Sequence, residues 1–223
     1  MKLLSTFLIA VLACALNVFG QTPPEELPTI DTFLAGLNRT GSSKHIGDIT
    51  YPNWARIHNN CPYDVYLWSV DADHNPLTPL HMQPGQWQHE PFRYISDTSG
   101  VAYKISRDST LRGGIGGNHM HFEYAIRDNQ IYWDISFVDC AKDATLQGGN
   151  ADGCVGHERG IRINTAVQGD GYIGVHCLPN TFCLDDAYYI SDPDKDWGHK
   201  APVKGCPKGV LTSDMYATLC YDA

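Results

Sequence analysis

The chain predicts an all-β sandwich, and three observations carry that reading. Apolar residues recur with a period of two in short runs, Gly, Pro and Asn turns separate those runs, and no segment sustains a helical period. Strands at this spacing, with no alternating helices between them, bury their apolar faces by stacking one antiparallel sheet on another.

At the N-terminus, Lys2 precedes an apolar run from Leu3 to Phe19 broken only by Asn17, and Gly20 stands before Gln21. This is the pattern of a secretory signal peptide over residues 1–20. No later run is continuously apolar over membrane length, so no membrane insertion is expected. Residues 21–52 are rich in Pro, Thr, Ser and Gly, with Phe33, Leu34 and Leu37 as the clustered apolar residues, and read as a flexible arm. The arm holds Asn38-Arg39-Thr40, an acceptor sequence for an N-glycan on Asn38.

Residues 53–223 form the folded domain. Strands are expected at Arg56 to Asn60 and Val65 to Val70, separated by the turn Asn60-Cys61-Pro62-Tyr63, with a further turn at Gln83-Pro84-Gly85-Gln86. Others follow at Val101 to Arg107, His119 to Ile126, Ile131 to Val138, Gly160 to Thr165 and Tyr172 to His176. Lys142 to Gln147 and Asp185 to Ile190 read as single turns at most.

The segment His119 to Cys140 is the most strongly patterned. Two alternating runs flank Asp128-Asn129, a dipeptide suited to a tight hairpin turn. With that loop, Arg127 pairs with Gln130, and Tyr124, Phe122 and Met120 face Trp133, Ile135 and Phe137 as a core. The opposite face sets Glu123 directly against Asp134, with His121 against Ser136. Two like charges at a cross-strand pair cost stability. A sequence that otherwise obeys its local rules breaks them where function or a compensating cation lies.

Eight cysteines include Cys14 within the signal-like segment, leaving Cys61, Cys140, Cys154, Cys177, Cys183, Cys206 and Cys220. An odd number in an exported chain means disulfides with one thiol left over or an intermolecular bond, and Cys177 and Cys183 are spaced to close a short loop. No C-x-x-C pair suggests zinc. Sixteen Lys and Arg stand against twenty-five Asp and Glu, which argues against nucleic acid or an anionic membrane as partner.

His119, His121 and Glu123 alternate on one strand and project on one face. Two imidazoles and a carboxylate are ligand types for Zn²⁺ or Cu²⁺. In a chain with ten histidines the plainer reading is an exposed polar strand face, so neither a metal nor another cofactor is expected. A copper brace is disfavoured because the expected mature N-terminus is Gln21 rather than His. Arg112-Gly113-Gly114-Ile115-Gly116-Gly117 lacks the Lys-Ser/Thr ending of a phosphate cradle and reads as a flexible loop. Trp54, Trp68, Trp87, Trp133 and Trp197 are candidates for stacking on sugars, with Trp133 assigned to the core.

The runs Ile57-His58-Asn59-Asn60-Cys61-Pro62-Tyr63-Asp64-Val65-Tyr66-Leu67-Trp68-Ser69-Val70, Gln83-Pro84-Gly85, Glu90-Pro91-Phe92, Ala102-Tyr103-Lys104-Ile105-Ser106-Arg107 and Tyr216-Ala217-Thr218-Leu219-Cys220 resemble the fungal antigenic branch of the thaumatin-like proteins. The resemblance covers roughly Trp54 to Cys220. It implies a thaumatin-type antiparallel β-sandwich, disulfide-stabilised, with Cys61 bridged to Cys220. The wider family has an acidic cleft of one Arg, one Glu and several Asp. By motif, Glu123 matches the cleft Glu, Asp134 and Asp139 match two cleft Asp, and Arg107 falls where the cleft Arg would be, holding the acids ionised. Asp214 is the candidate for a last cleft Asp. The chain lacks the cysteine-dense signature of plant members, so their second domain is expected to be reduced or absent.

The function expected from these features is that of a secreted, extracellular or cell-wall protein. It engages a polysaccharide such as β-1,3-glucan, or a host surface protein, as a non-catalytic monomer through an acidic face of Arg107, Glu123, Asp134 and Asp139. The alternative is a weak endo-β-1,3-glucanase in which Glu123 and Asp134 act as general acid and nucleophile or base, their closeness favouring a retaining course.

Overall fold

Alternation builds two stacked sheets. In the computed structural model, which describes residues 45–46, 49–50, 54–95, 99–127, 130–165, 174–205 and 214–222, every second residue of the central strands points into one shared core. The signal-like segment, Asn38, the Asp128-Asn129 turn and Cys206 lie outside the described residues. Within the arm, β1 (His45–Ile46) pairs with β2 (Ile49–Thr50).

The larger sheet runs in the order β14, β9, β8, β7, β4, β5, where β4 is Val65–Val70, β5 Leu80–Met82, β7 Val101–Ser106, β8 Met120–Arg127, β9 Gln130–Ser136 and β14 Ala187–Tyr188; β15 (Lys204–Gly205) also pairs with β9. The smaller sheet runs β13 (Val175–Cys177), β12 (Ile161–Thr165), β16 (Met215–Leu219), β3 (Trp54–Asn59) and β6 (Trp87–Pro91). From the larger sheet, Tyr103, Ile105, Met120, Phe122, Tyr124, Trp133 and Ile135 pack against Ile57, Ile161, Ile163, Ala217 and Leu219 of the smaller one. Each such fully buried large side chain contributes about 1.5–3 kcal/mol of transfer free energy.

The hairpin register is the one read from the pattern: Arg127 faces Gln130, Tyr124 faces Trp133, Phe122 faces Ile135, Glu123 faces Asp134 and His121 faces Ser136. The antiparallel sandwich also contains two parallel pairings, β14 with β9 and β16 with β3. The second of these brings the last strand beside the first. Both chains leave that pair at the same end, where Cys61 is bridged to Cys220. Asn59, fully buried, shapes the exit: its Nδ2 donates to the carbonyls of Tyr63 and Met82 at 3.0 Å each, and its Oδ1 accepts from the Cys61 N–H at 3.1 Å.

Two further bridges, Cys140–Cys154 and Cys177–Cys183, staple the segments that follow β9 and β13. One holds the small hairpin of β10 (Lys142–Thr145) and β11 (Gly148–Asn150), so Lys142 to Gln147, read as a single turn, is instead a strand and its bend. Periodicity is uninformative over four residues, and cross-strand pairing decided the outcome. Asp185 to Ile190 likewise contains β14. A helix of five residues, Pro193–Trp197, starts where Asp192 accepts from the Lys195 N–H at 3.1 Å and Pro193 needs no donor partner.

Candidate functional site

The outer face of the larger sheet, pointing away from the core, is polar and yet largely withdrawn from water. Across it run two rows set by register: Trp68, Lys104, His121, Ser136 and Tyr188, then Val70, Ala102, Glu123 and Asp134. Trp68 is 0 % exposed, Asp134 1 % and His121 7 %, while the Glu123 side chain keeps 23 %. Part of the cover is the Arg112–Gly117 loop. Four of its glycines have left-handed φ, and a Cβ on Gly114 would come within 2.7 Å of Lys104 Cδ. Lys104 Nζ donates to the Gly114 carbonyl at 3.2 Å. Gly114 therefore serves close packing on the sheet.

Burial changes the meaning of the acid pair. Asp134 has its pKa raised well above the carboxylate range, first by burial and then by the charge of, and hydrogen bond with, Glu123. Asp134 Oδ1 is buried without a hydrogen-bond partner. Burial also pushes Glu123 upward, but hydrogen bonding to His121, the His121 charge, the Asp134 hydrogen bond and Lys104 outweigh it and leave its pKa lowered. One proton thus removes the like-charge penalty, with Asp134 neutral and Glu123 ionised. Tyr188, paired beside Ser136, has its pKa raised by burial and then by these two acids.

Glu123 continues into a chain of contacts. His121 Nδ1 lies 3.1 Å from Glu123 Oε1, and His121 Nε2 lies 3.2 Å from Asp139 Oδ2. His119 Nε2 approaches the same Asp139 oxygen at 3.1 Å. Burial pushes the His121 pKa down, but Asp139 and Glu123 overcome it and raise it; the two histidines in turn hold the Asp139 carboxyl well below its usual range.

Two expected members are elsewhere. Arg107 is not the cation of this group: it lies just past β7, five residues from Ala102, the neighbour of Glu123, and a strand rise of about 3.3 Å per residue carries it beyond the far end. Lys104 and His121 supply the positive charge instead. Asp214 is in the other sheet, where it takes Arg56 at 2.6 Å and the Trp54 N–H at 3.0 Å. Among the tryptophans, Trp133 and Trp68 are buried, and Trp87 stacks on His58 with ring centroids 4.2 Å apart.

Arg107 opens instead onto a cleft of about 750 Å³ between the sandwich end and the segment stapled by Cys140–Cys154. Its polar lining includes Tyr63, Arg107, Asp108, Asn118, Asp152 and Glu158. Arg107 lies over the Tyr63 ring at 4.1 Å from its centroid, a cation–π contact that orients the guanidinium. The Tyr63 hydroxyl donates to Glu158 and accepts from the Gly156 N–H at 3.2 Å. Burial, then Glu158, raises the Tyr63 pKa, so the phenol stays neutral. Asp108 accepts from the Thr110 N–H and hydroxyl, which lowers its pKa and keeps it ionised. Sequence reasoning singled out Arg107 but missed Asp108 and Asp152, which sit in loops, and Glu158, which sits in the 3-10 turn His157–Arg159; none carries a periodic signal.

Comparisons with known proteins agree with the resemblance read from the sequence. A family profile described as Blastomyces yeast-phase-specific protein (Bys1) matches residues 47–151. An antigenic thaumatin-like protein of Arthroderma benhamiae is 28% identical over 85 residues, which is 38% of this chain and 40% of that protein. The secreted thaumatin-like protein calA of Emericella nidulans is 22% identical over 134 residues, 60% of this chain and 67% of that one. The match thus spans well under half the length of the first of these relatives. Among solved structures, the protein elicitor MoHrip2 from Magnaporthe oryzae superposes with a TM-score of 0.49 at 24% identity, over 76% of this chain and 99% of that one. The thaumatin-like xylanase inhibitor TLXI gives 0.45 at 13% identity, over 74% and 98%.

Proposed function

We propose that this thaumatin-like chain is a secreted, non-catalytic interaction protein that binds glycan through its acidic face, at the cleft around Arg107. The observation that carries the reading is the contrast in access. The cleft presents the exposed side chains of Arg107, Asp108, Asn118, Asp152 and Glu158, with the guanidinium oriented on the Tyr63 ring, a set of planar polar groups that recognises sugar hydroxyls. The Glu123–Asp134 pair, by contrast, has one carboxyl at 1 % exposure and the other engaged with His121. A general acid and a nucleophile must both touch a glycosidic bond, so the pair is poorly placed for turnover. Secretion is supported by the signal-like start, by the disulfides, and by the similarity to the secreted thaumatin-like protein of Emericella nidulans.

The test is retention of the untagged mature protein on insoluble β-1,3-glucan, chitin and cellulose. Retention on one of them is expected, lost in Arg107→Ala and kept in Glu123→Gln. No retention on any of the three overturns the proposal. Reducing sugar released from laminarin, and abolished by Glu123→Gln and Asp134→Asn, would establish the glucanase reading in its place.

A further inference from the structure

The two histidines on β8 have their ring nitrogens sorted in an unusual way. His119 Nδ1 lies 3.3 Å from the Gly117 carbonyl, and His121 Nδ1 lies 3.1 Å from Glu123 Oε1. Each is an acceptor that, in the neutral imidazole, takes the proton on Nδ1 and leaves the Nε2 lone pair available to a ligand. Both Nε2 atoms are buried, in residues 3 % and 7 % exposed, and neither makes a hydrogen bond. An unpaired buried ring nitrogen costs roughly 1–3 kcal/mol, and here two of them point to one place. They converge on Asp139 Oδ2, at 3.1 and 3.2 Å, close enough for electrostatic contact but off hydrogen-bond alignment.

From this arrangement we infer that His119 Nε2, His121 Nε2 and an Asp139 oxygen form a binding site for a first-row divalent transition cation of the Zn²⁺ or Cu²⁺ type. The three donor groups lie within 4.8 Å of one another. Donors about 2.0–2.2 Å from a common ion stand roughly 3.0–3.5 Å apart, which is the spacing seen from each nitrogen to the carboxylate. Two imidazoles and one carboxylate suit zinc or copper over calcium or magnesium, which prefer oxygen alone. The outer contacts are those such sites use, with one imidazole held by a backbone carbonyl and the other by a carboxylate. Glu123 is thus a positioning residue for His121, and Asp134, neutral beside it, positions Glu123. The Asp139 side chain is 43 % exposed, so the ion is reached from solvent and keeps an open coordination position there.

Asp139 replaces Glu123 in the ligand set suggested by the strand pattern. After β9 the chain turns sharply, with the Cys140 and Ala141 N–H groups both donating to the Phe137 carbonyl, and this returns Asp139 to the histidines.

The experiment is calorimetric titration of untagged, chelator-stripped mature protein with Zn²⁺ and with Cu²⁺, alongside electron paramagnetic resonance of the Cu²⁺ form. One saturable site per chain is expected, with two-nitrogen copper coordination. Asp139→Asn and His121→Gln, each confirmed folded by circular dichroism, should lose more than about tenfold in affinity, Glu123→Gln roughly tenfold, and His176→Gln on the other sheet nothing. Absence of a saturable site, or equal affinity in wild type and Asp139→Asn, whose half-exposed position makes misfolding a poor explanation, overturns the inference.

Discussion

Two acidic regions, one on the larger sheet and one beyond the end of its β7, differ in almost every physical respect. The Glu123–Asp134 pair lies mid-strand on a covered face, where burial has neutralised one acid and committed the other to His121. The Arg107 cleft lies at the strand end, where Asp108, Asp152 and Glu158 stay exposed around a guanidinium resting on Tyr63. The difference teaches that acidity in sequence says little about available charge. A carboxylate on a strand can become a hydrogen-bond donor once a loop covers it, whereas one on a loop keeps its water and its charge.

The contrast can be broken most forcefully at the staple of the cleft. Cys140→Ser with Cys154→Ser removes a bridge spanning 14 residues and should cost about 3 kcal/mol in urea unfolding. Glycan retention should fall with it, because Cys154 lies in the cleft wall. If retention is unchanged, the cleft is not the binding surface.

A smaller effect is expected at the buried pair. Asp134→Ala deprives Glu123 of a buried partner and should cost about 1–3 kcal/mol, whereas Asp134→Asn, which still donates, should stay within about 1 kcal/mol of wild type. The pH dependence sharpens this. Asp134 is raised on folding, so its contribution to stability is whole below the ordinary carboxylate range and is lost as pH climbs through the raised value. Glu123 is lowered, so its contribution is whole above that range and lost as pH falls. Unfolding series from roughly pH 4 to 9 should therefore show wild type losing stability toward the alkaline end relative to Asp134→Asn. Parallel curves would mean that Asp134 is ionised in the folded protein.

The smallest effect belongs to Tyr63→Phe. It keeps the ring under Arg107 but removes the hydrogen bonds to Glu158 and Gly156, at a cost of about 0.5–1.5 kcal/mol. Glycan affinity should weaken less than in Arg107→Ala, measured on the same insoluble polymer. A loss as large as that of Arg107→Ala would shift the weight of recognition from the guanidinium to the hydroxyl.

The two regions were unequally legible. The hairpin register, from Arg127 facing Gln130 to Glu123 facing Asp134, followed from period two and a short loop, both local properties. That Trp68, Lys104 and Asp134 share a covered face did not, because the cover comes from other segments, among them the Arg112–Gly117 loop over Lys104, whose glycines gave no hint of what they pack against. Arg107 was recognised by motif but assigned to the wrong neighbours, since matching a motif places a residue on a strand without saying how far along it the partners lie. The proposed cation site was half visible: His119 and His121 share a face by alternation, while Asp139 joins them through a turn that leaves no periodic mark.

By itself the sequence determined the all-β class, the pairing of β8 with β9 and the set of chemically capable side chains, because each depends on residues near one another along the chain. Only the tertiary structure decided which acids are covered and neutral, which stay exposed, and that Asp139 rather than Glu123 meets the two histidines. Those outcomes depend on burial, on the shift in carboxylate pKa that burial imposes, and on contacts between segments far apart in the chain.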